Sequence, residues 1–336
     1  MDTRIKSLDM ARGIGIFLVV LGHSVVTPLR EEYRAYQALY DGIYLFHMSF
    51  FFFLSGFLME ASSSGNCGKA GNRKQTLKKK AQQLLIPYFF YSVLGYGTLG
   101  IVSGRSIGQC IVEILTTENH IFHHLWFLYT MFVVYALSLM ISGKYIVWAL
   151  GIMAVLHGFF SAISGLPLIL LYIVRYTFFF QAGRLWRIRM AKRSRFLIWT
   201  NAAVFVLMEL LYIYIFASPA AVTGIWHVTE RFACSLVILG GGITGSFLLL
   251  DISQKLEAGG KGAFLTRLGK NSMEIYVLHM PLLVPGAGNL LWKAGLNGIV
   301  ILGICTVIGI EIPLLLSKII YRSDKLSLIV FGRSKK

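Results

Sequence analysis

The stretch RGIGIFLVVLGHS, residues 12–24, sets Arg12 and His23 in an otherwise apolar run. Eleven residues separate them, about 16.5 Å along a helix and close to the same face, so one stripe carries both. The two types suit different tasks. The planar guanidinium of Arg12 suits an anionic ligand, and an imidazole such as His23 suits a reaction point that exchanges protons. Arg12 falls where the run begins and His23 well toward its far end. The stripe therefore suits a bridge between an anionic ligand at one face and a reaction point deeper in. The competing reading is an interfacial Arg12 with its head in water and a helix-packed His23.

Four further segments hold candidates. In YLFHMSFFFFLSGFLM, His47 is placed to assist His23 or to be satisfied at the interface, while Ser55 and Gly56 permit close helix approach. TENHIFHHLWFLYTMF brings Glu118, His120, His123, His124 and Trp126 together, but without a metal-ligand spacing. No metal is expected, and His124 and Trp126 read instead as a rim shaping access for an acceptor. Arg175, in LLYIVRYTFFF, lies too deep to reach water easily and calls for an anionic ligand or an acidic partner, with Glu209 and the Glu230–Arg231 pair as candidates. LGKNSMEIYVLHMPLL opens with Lys270, Asn271 and Ser272, a polar start suited to phosphate, and continues to Tyr276 and His279.

The elements that must hold these residues follow from composition. Of 336 residues 56% are hydrophobic and only 14% charged, with a mean hydropathy of +0.68, where soluble domains carry roughly 25% charge. Apolar runs recur along the whole length, giving an all-α, polytopic integral membrane protein with about ten transmembrane helices, drawn at 10–28, 42–60, 83–103, 124–142, 146–162, 165–183, 196–216, 226–250, 273–291 and 297–318. The first run reads as a span rather than a cleaved leader. The turn SAISGLP between the fifth and sixth is short enough that those two could be a re-entrant pair. With the N terminus in the cytoplasm, most of the 32 Lys and Arg fall on that side, including Lys78 to Lys80, Arg184 to Arg195, Lys255 to Lys270 and the tail, so both termini are cytoplasmic. The net charge of +17 is thereby a membrane-face feature, and no nucleic-acid partner is expected. One domain spans 1–336, with a flexible cytoplasmic loop at about 61–82 and a basic tail at about 319–336. The scattered Cys67, Cys110, Cys234 and Cys305 support neither a metal site nor a disulfide framework.

SLDMARGIGIFLVVLGHS, HMSFFFFLSGFL, HLWFLYTMF and LGKNSMEIYVLHMPLL, in that order, resemble the membrane acyltransferase-3 family, integral membrane O-acyltransferases of cell-surface and secreted carbohydrates. The Arg, ten intervening residues, His pattern is its most diagnostic feature. The resemblance implies a bacterial plasma-membrane enzyme that moves an acetyl group from cytoplasmic acetyl-CoA to a glycan or lipid-linked sugar, with glycan-assembly machinery as a partner and the lipid bilayer as its setting. Succinyl or another acyl group is the variant reading. It makes His23 the catalytic base or acyl-relaying residue, and gives Arg12, with Arg175, Lys270, Asn271 and Ser272, to the acyl-CoA; His47, His124 and Trp126 fall to the acceptor. It further implies the stand-alone membrane form. The absence of a G-x-S-x-G elbow argues against a serine relay, whereas direct ternary transfer and an acyl-histidine both stay open. A polytopic transporter is the rival, since the same buried Arg, His and Glu could line a substrate path, although the two halves show no matched interruptions.

Overall fold

The computed structural model describes residues 6–66, 70–97, 104, 106–116, 122–189, 194–217 and 225–334, and among them every regular element is a helix. In chain order these are α1 (Lys6–Ser24), α2 (Thr27–Glu32), α3 (Arg34–Asn66), α4 (Ala70–Gly95), α5 (Ile107–Thr116), α6 (Trp126–Met140), α7 (Ile146–Ala162) and α8 (Leu168–Ile188). They continue with α9 (Arg195–Ala217), α10 (Ile225–Ala258), α11 (Ala263–Lys270), α12 (Ser272–Leu278), α13 (Ala287–Lys293), α14 (Gly298–Ile320) and α15 (Asp324–Phe331).

Among the described residues six helices are long and apolar enough to cross a bilayer: Arg34–Ala61 of α3, Gly143–Ala162 around α7, Leu168–Ile188, Arg195–Tyr214, Thr229–Ala258 and Gly298–Ile320. The chain is a multi-pass membrane protein. In their described residues nine of the ten anticipated spans fall largely on one helix each and the ninth on a bent pair, but length and apolarity do not carry the count to ten. Helix α1 holds Asp9, Arg12 and His23; α4 opens with a Lys- and Gln-rich half; α6 has 15 residues, about 22 Å of rise against a hydrocarbon core of about 30 Å. The ninth anticipated span is bent, with α12 meeting the helix that ends at Lys293 at 54°, as in a broken span or a re-entrant loop.

Two further expectations change. The stretch at 61–82 is largely helical rather than a flexible loop, since α3 runs to Asn66 and α4 starts at Ala70; Lys, Gln, Leu and Ala are strong helix formers, and their propensity outweighs the polar composition. Secondly, the helices Gly143–Ala162 around α7 and Leu168–Ile188 (α8) are each long and apolar enough to cross a bilayer on their own, which a re-entrant pair does not require, and they are joined through a turn in which Gly165 takes φ +78°.

The chain divides into two compact units of interleaved segments: Met1–Phe51, Ala191–Ala221 and Val237–Ser317 form one, and Phe52–Met190, Val222–Leu236 and Lys318–Lys336 the other. In the first, α1 lies against α11 with little between the backbones. A methyl at Gly13 would overlap the Leu265 carbonyl, and one at Gly269 the Asp9 carbonyl. Lipid offers little hydrophobic drive for helix pairing, so small residues that let backbones touch take over that role. The Ser7 N–H donates to Glu257 Oε2 at 3.1 Å, tying the start of α1 to the end of α10.

In the second unit the same device joins α3 to α8. A methyl at Gly56 would meet the Phe180 carbonyl, and one at Gly183 the Phe53 carbonyl, which is the close approach that Ser55–Gly56 suggested. Beside this contact Arg184 is buried, donating Nε to Glu60 Oε2 at 2.9 Å and Nη1 to the Ser138 and Ile141 carbonyls at 3.0 and 2.8 Å. Arg184 is therefore not one of the loop cations. It lies inside α8, where a buried guanidinium needs its carboxylate and carbonyls. The basic tail is also ordered: Ser323 Oγ caps α15 through Leu326 N at 3.3 Å, and Gly332 packs on the Gln82 carbonyl of α4.

Outward faces are apolar. Trp148, Ile152, Val155 and Phe159 on α7 and Phe196, Trp199, Leu210 and Tyr214 on α9 are all exposed, which suits lipid contact and not water.

Candidate active site

His23 is the last polar side chain but one of α1, and α3 and the bent ninth span supply its neighbours. Tyr44 Oη lies 3.1 Å from His23 Nδ1 and 3.5 Å from Nε2, so the nearer nitrogen takes the bond. The His279 ring centroid is 5.2 Å from that of His23. His279 is fully buried, and its Nδ1 lies 2.8 Å from the Tyr276 carbonyl and 3.0 Å from that of Ile275. Carbonyls accept, so the proton sits on Nδ1 and Nε2 is the basic nitrogen. The break after α12 has a positional use: it ends the helix at the residue whose ring faces that of His23.

His47 does not bond His23. Its Nδ1 donates to the Ile43 carbonyl at 2.6 Å, one turn back on α3, and its ring meets the edge of Tyr44 at 4.7 Å. Tyr44 also stacks on Tyr40 at 3.9 Å, and the Arg30 guanidinium lies over the Tyr40 ring at 4.1 Å. The order Arg30, Tyr40, Tyr44, His23 is thus continuous. Sequence reasoning missed Arg30, Tyr40 and Tyr44. The spacing of Tyr36, Tyr40 and Tyr44 at four-residue intervals puts them along one side of α3, and that was the signal available.

At the other end of α1, Arg12 bonds Asp9 one turn earlier, with Nη1 to Oδ1 at 3.3 Å, and keeps 30% of its side chain exposed against 4% for Asp9. The Asp9–Gly13 turn is the one on which Gly269 packs, so Lys270, which follows and is exposed, lies beside the turn that carries Arg12. Arg267, one turn earlier, pairs with Glu311 at 3.3 Å. The anticipated phosphate site narrows here. Helix α12 has seven residues and the buried Glu274 in its first turn, so negative charge is already present there; Asn271 turns its Nδ2 back to the Arg267 carbonyl at 2.8 Å. Lys270 is the cation of the trio, and Asn271 and Ser272 bring no charge.

Arg175, His124 and Trp126 belong to the other unit. Arg175 donates Nε to His157 Nε2 at 2.9 Å, where neither Glu209 nor Glu230 was needed: a neutral imidazole lone pair serves as acceptor. His157 is fully buried, and its own carbonyl accepts from Ser235 Oγ at 3.3 Å. His124 is buried rather than presented on an open rim, and Trp126 stacks on Tyr172 and Tyr176 at 4.4 and 5.1 Å. Glu118 and His120, and the side chain of His123, lie outside the described residues. Among the described residues no three His, Cys, Asp or Glu side chains gather as a cation would require.

One helix thus carries Arg12 at one end and one member of the histidine pair near the other, and comparison with known proteins gives the chain a family. A family profile described as an acyltransferase domain matches residues 5–318, nearly all of the chain. The chain belongs to the acyltransferase-3 family. A curated relative, Nodulation protein NolL of Mesorhizobium japonicum, is 27% identical over 164 residues, which cover 47% of this chain and 42% of NolL. The chain thus spans less than half of that relative. No solved structure matches.

Proposed function

We propose that this acyltransferase-3 protein is a membrane O-acetyltransferase that takes acetyl groups from acetyl-CoA at the Arg12 end of α1 and delivers them to a glycan hydroxyl at the His23 end. The observation that carries the reading is that His23, on the same helix as Arg12, is met by Tyr44 of α3 and by His279 at the end of α12. Arg12, exposed enough to reach a ligand, and Lys270 beside its turn offer cations to the phosphates of coenzyme A, with Arg267 close by on α11. The pantetheine arm is a long flexible chain suited to the roughly three helical turns between Arg12 and His23.

With Tyr44 Oη accepting from Nδ1–H, His23 Nε2 takes the proton of the sugar hydroxyl as that oxygen attacks the thioester carbonyl. A C–O bond forms. Collapse of the tetrahedral adduct breaks the C–S bond, and the departing thiolate recovers the proton from His23. The His279 ring beside His23 favours transient positive charge through its basic Nε2. Excluding water protects the thioester from hydrolysis. The positive charge of the segments at the Arg12 end supports a cytoplasmic donor side, in keeping with a bacterial plasma membrane.

The test is transfer of radiolabelled acetyl from acetyl-CoA to a glycan panel by the full chain in nanodiscs. His23→Ala is expected to lower acceptor-dependent transfer at least about 100-fold, and Arg12→Ala to raise the KM for acetyl-CoA with a smaller effect on kcat. Transfer undiminished in His23→Ala sinks the mechanism; transfer of another acyl group in preference to acetyl changes the donor.

A further inference from the structure

Beyond the end of α1 that carries His23, the first unit opens a cleft of about 570 Å³ lined by Glu32, Tyr33, Tyr36 and Trp292 and by the stretch from Gly295 to Ile299. Its walls are the α2–α3 corner and the α13–α14 turn, where Gly295 adopts φ +75°. Asn297 Oδ1 accepts the Ile299 N–H at 2.9 Å and so caps α14, leaving Nδ2 as a donor. Tyr33 and Tyr36 meet edge to face at 5.9 Å. The lining is thus three aromatic residues beside one carboxylate and one amide, with the aliphatic Leu296 and Ile299 completing it. That is the chemistry of sugar recognition, in which the C–H face of a pyranose packs on a ring of negative π-density and its hydroxyls pair with planar polar groups.

The cleft connects to the chemistry through α3. Tyr36, Tyr40 and Tyr44 recur every four residues, about 6 Å of rise each, and the last of them bonds His23. Arg30 covers Tyr40, and its Nε is buried with no hydrogen-bond partner. Glu32 is the charged side chain of the cleft lining, so an acidic glycan is repelled where a neutral one is held.

We propose that this cleft is the outer subsite for a neutral carbohydrate chain, and that the Tyr36–Tyr40–Tyr44 row guides the chain to His23. The inference rests on the glycan acceptor proposed above and adds where the chain binds and which charge class it has. In the experiment, mono- to tetrasaccharides of glucose, mannose and N-acetylglucosamine, with galacturonate oligomers as the acidic series, are titrated by surface plasmon resonance against the full chain in nanodiscs. Affinity for at least one neutral series is expected to rise with length and to exceed that for the acidic one. Trp292→Ala weakens the tetrasaccharide about tenfold, the scale of one aromatic anchor, and Trp292→Phe recovers most of it. Glu32→Gln narrows the gap between neutral and acidic chains. Three results overturn the proposal: no neutral glycan binds the wild type, Trp292→Ala binds the tetrasaccharide as wild type does, or acidic oligomers are preferred. Binding is read without turnover, so glycan binding with normal length dependence in a protein that transfers no acyl group would refute the enzyme reading and leave the cleft standing.

Discussion

At the residue scale, the difference between His23 and any buried histidine is its company. A lone imidazole in a helix bundle is ordinarily satisfied by one backbone carbonyl, as His47 is by Ile43 at 2.6 Å. His23 instead has a tyrosine hydroxyl on one nitrogen and a second histidine ring beside it. In the proposed mechanism Tyr44 acts through His23, as a positioning residue whose hydroxyl accepts from Nδ1–H and holds the ring. Tyr44→Phe keeps the ring stacked on Tyr40 and removes only the hydroxyl. A bond of this kind is worth about 1 kcal/mol, so kcat is expected to fall several-fold, up to about tenfold, with the KM for acetyl-CoA unchanged. The pH profile of kcat should shift as well, a change that mere packing loss would not produce; an unaltered profile and rate would remove Tyr44 from the account. Arg12 and His23 were legible in the sequence because each is polar in an apolar run. Tyr44 was not, because tyrosine is common in membrane helices and its role emerges only when α3 lies beside α1.

At the element scale, glycines set the distances on which the site depends. Gly13 and Gly269 press α1 onto α11 and so bring Lys270 beside the turn of Arg12. Gly13→Ala forces a methyl against the Leu265 carbonyl, and the helices must part. Overpacking of this kind costs about 1–3 kcal/mol. A lower midpoint of thermal unfolding is expected, together with a higher KM for acetyl-CoA and little change in acceptor KM; an increase in acceptor KM alone would place the donor elsewhere. The helices themselves were readable from apolar runs, because burial in lipid demands about the same run length in any sequence. The break after Leu278 was not, since VLHMPLL continues the apolar pattern through it. Nor was the helix at the start of α4, where polar composition masked good helix formers. Arg184 is the complementary case: it sits at the edge of an apolar run like any interfacial cation, and only the meeting with Glu60 shows it to be interior.

At the scale of the whole molecule, the proposed reaction would use donor and acceptor at opposite ends of α1 and hence on opposite sides of a membrane, a consequence that no single residue carries. Composition made the multi-pass character plain and the asymmetry of Lys and Arg gave the expected orientation, while the interleaving of two units from distant segments could not be read from a linear pattern. The most direct test reconstitutes the protein in sealed vesicles, selects one orientation by affinity capture on a C-terminal tag, and supplies radiolabelled acetyl-CoA on the tag side with the acceptor glycan on the other. The account predicts that label reaches the glycan across the intact membrane, that it stops in His23→Ala, and that acetyl-CoA given only on the glycan side is inert. Labelling that requires both substrates on the same side would contradict it.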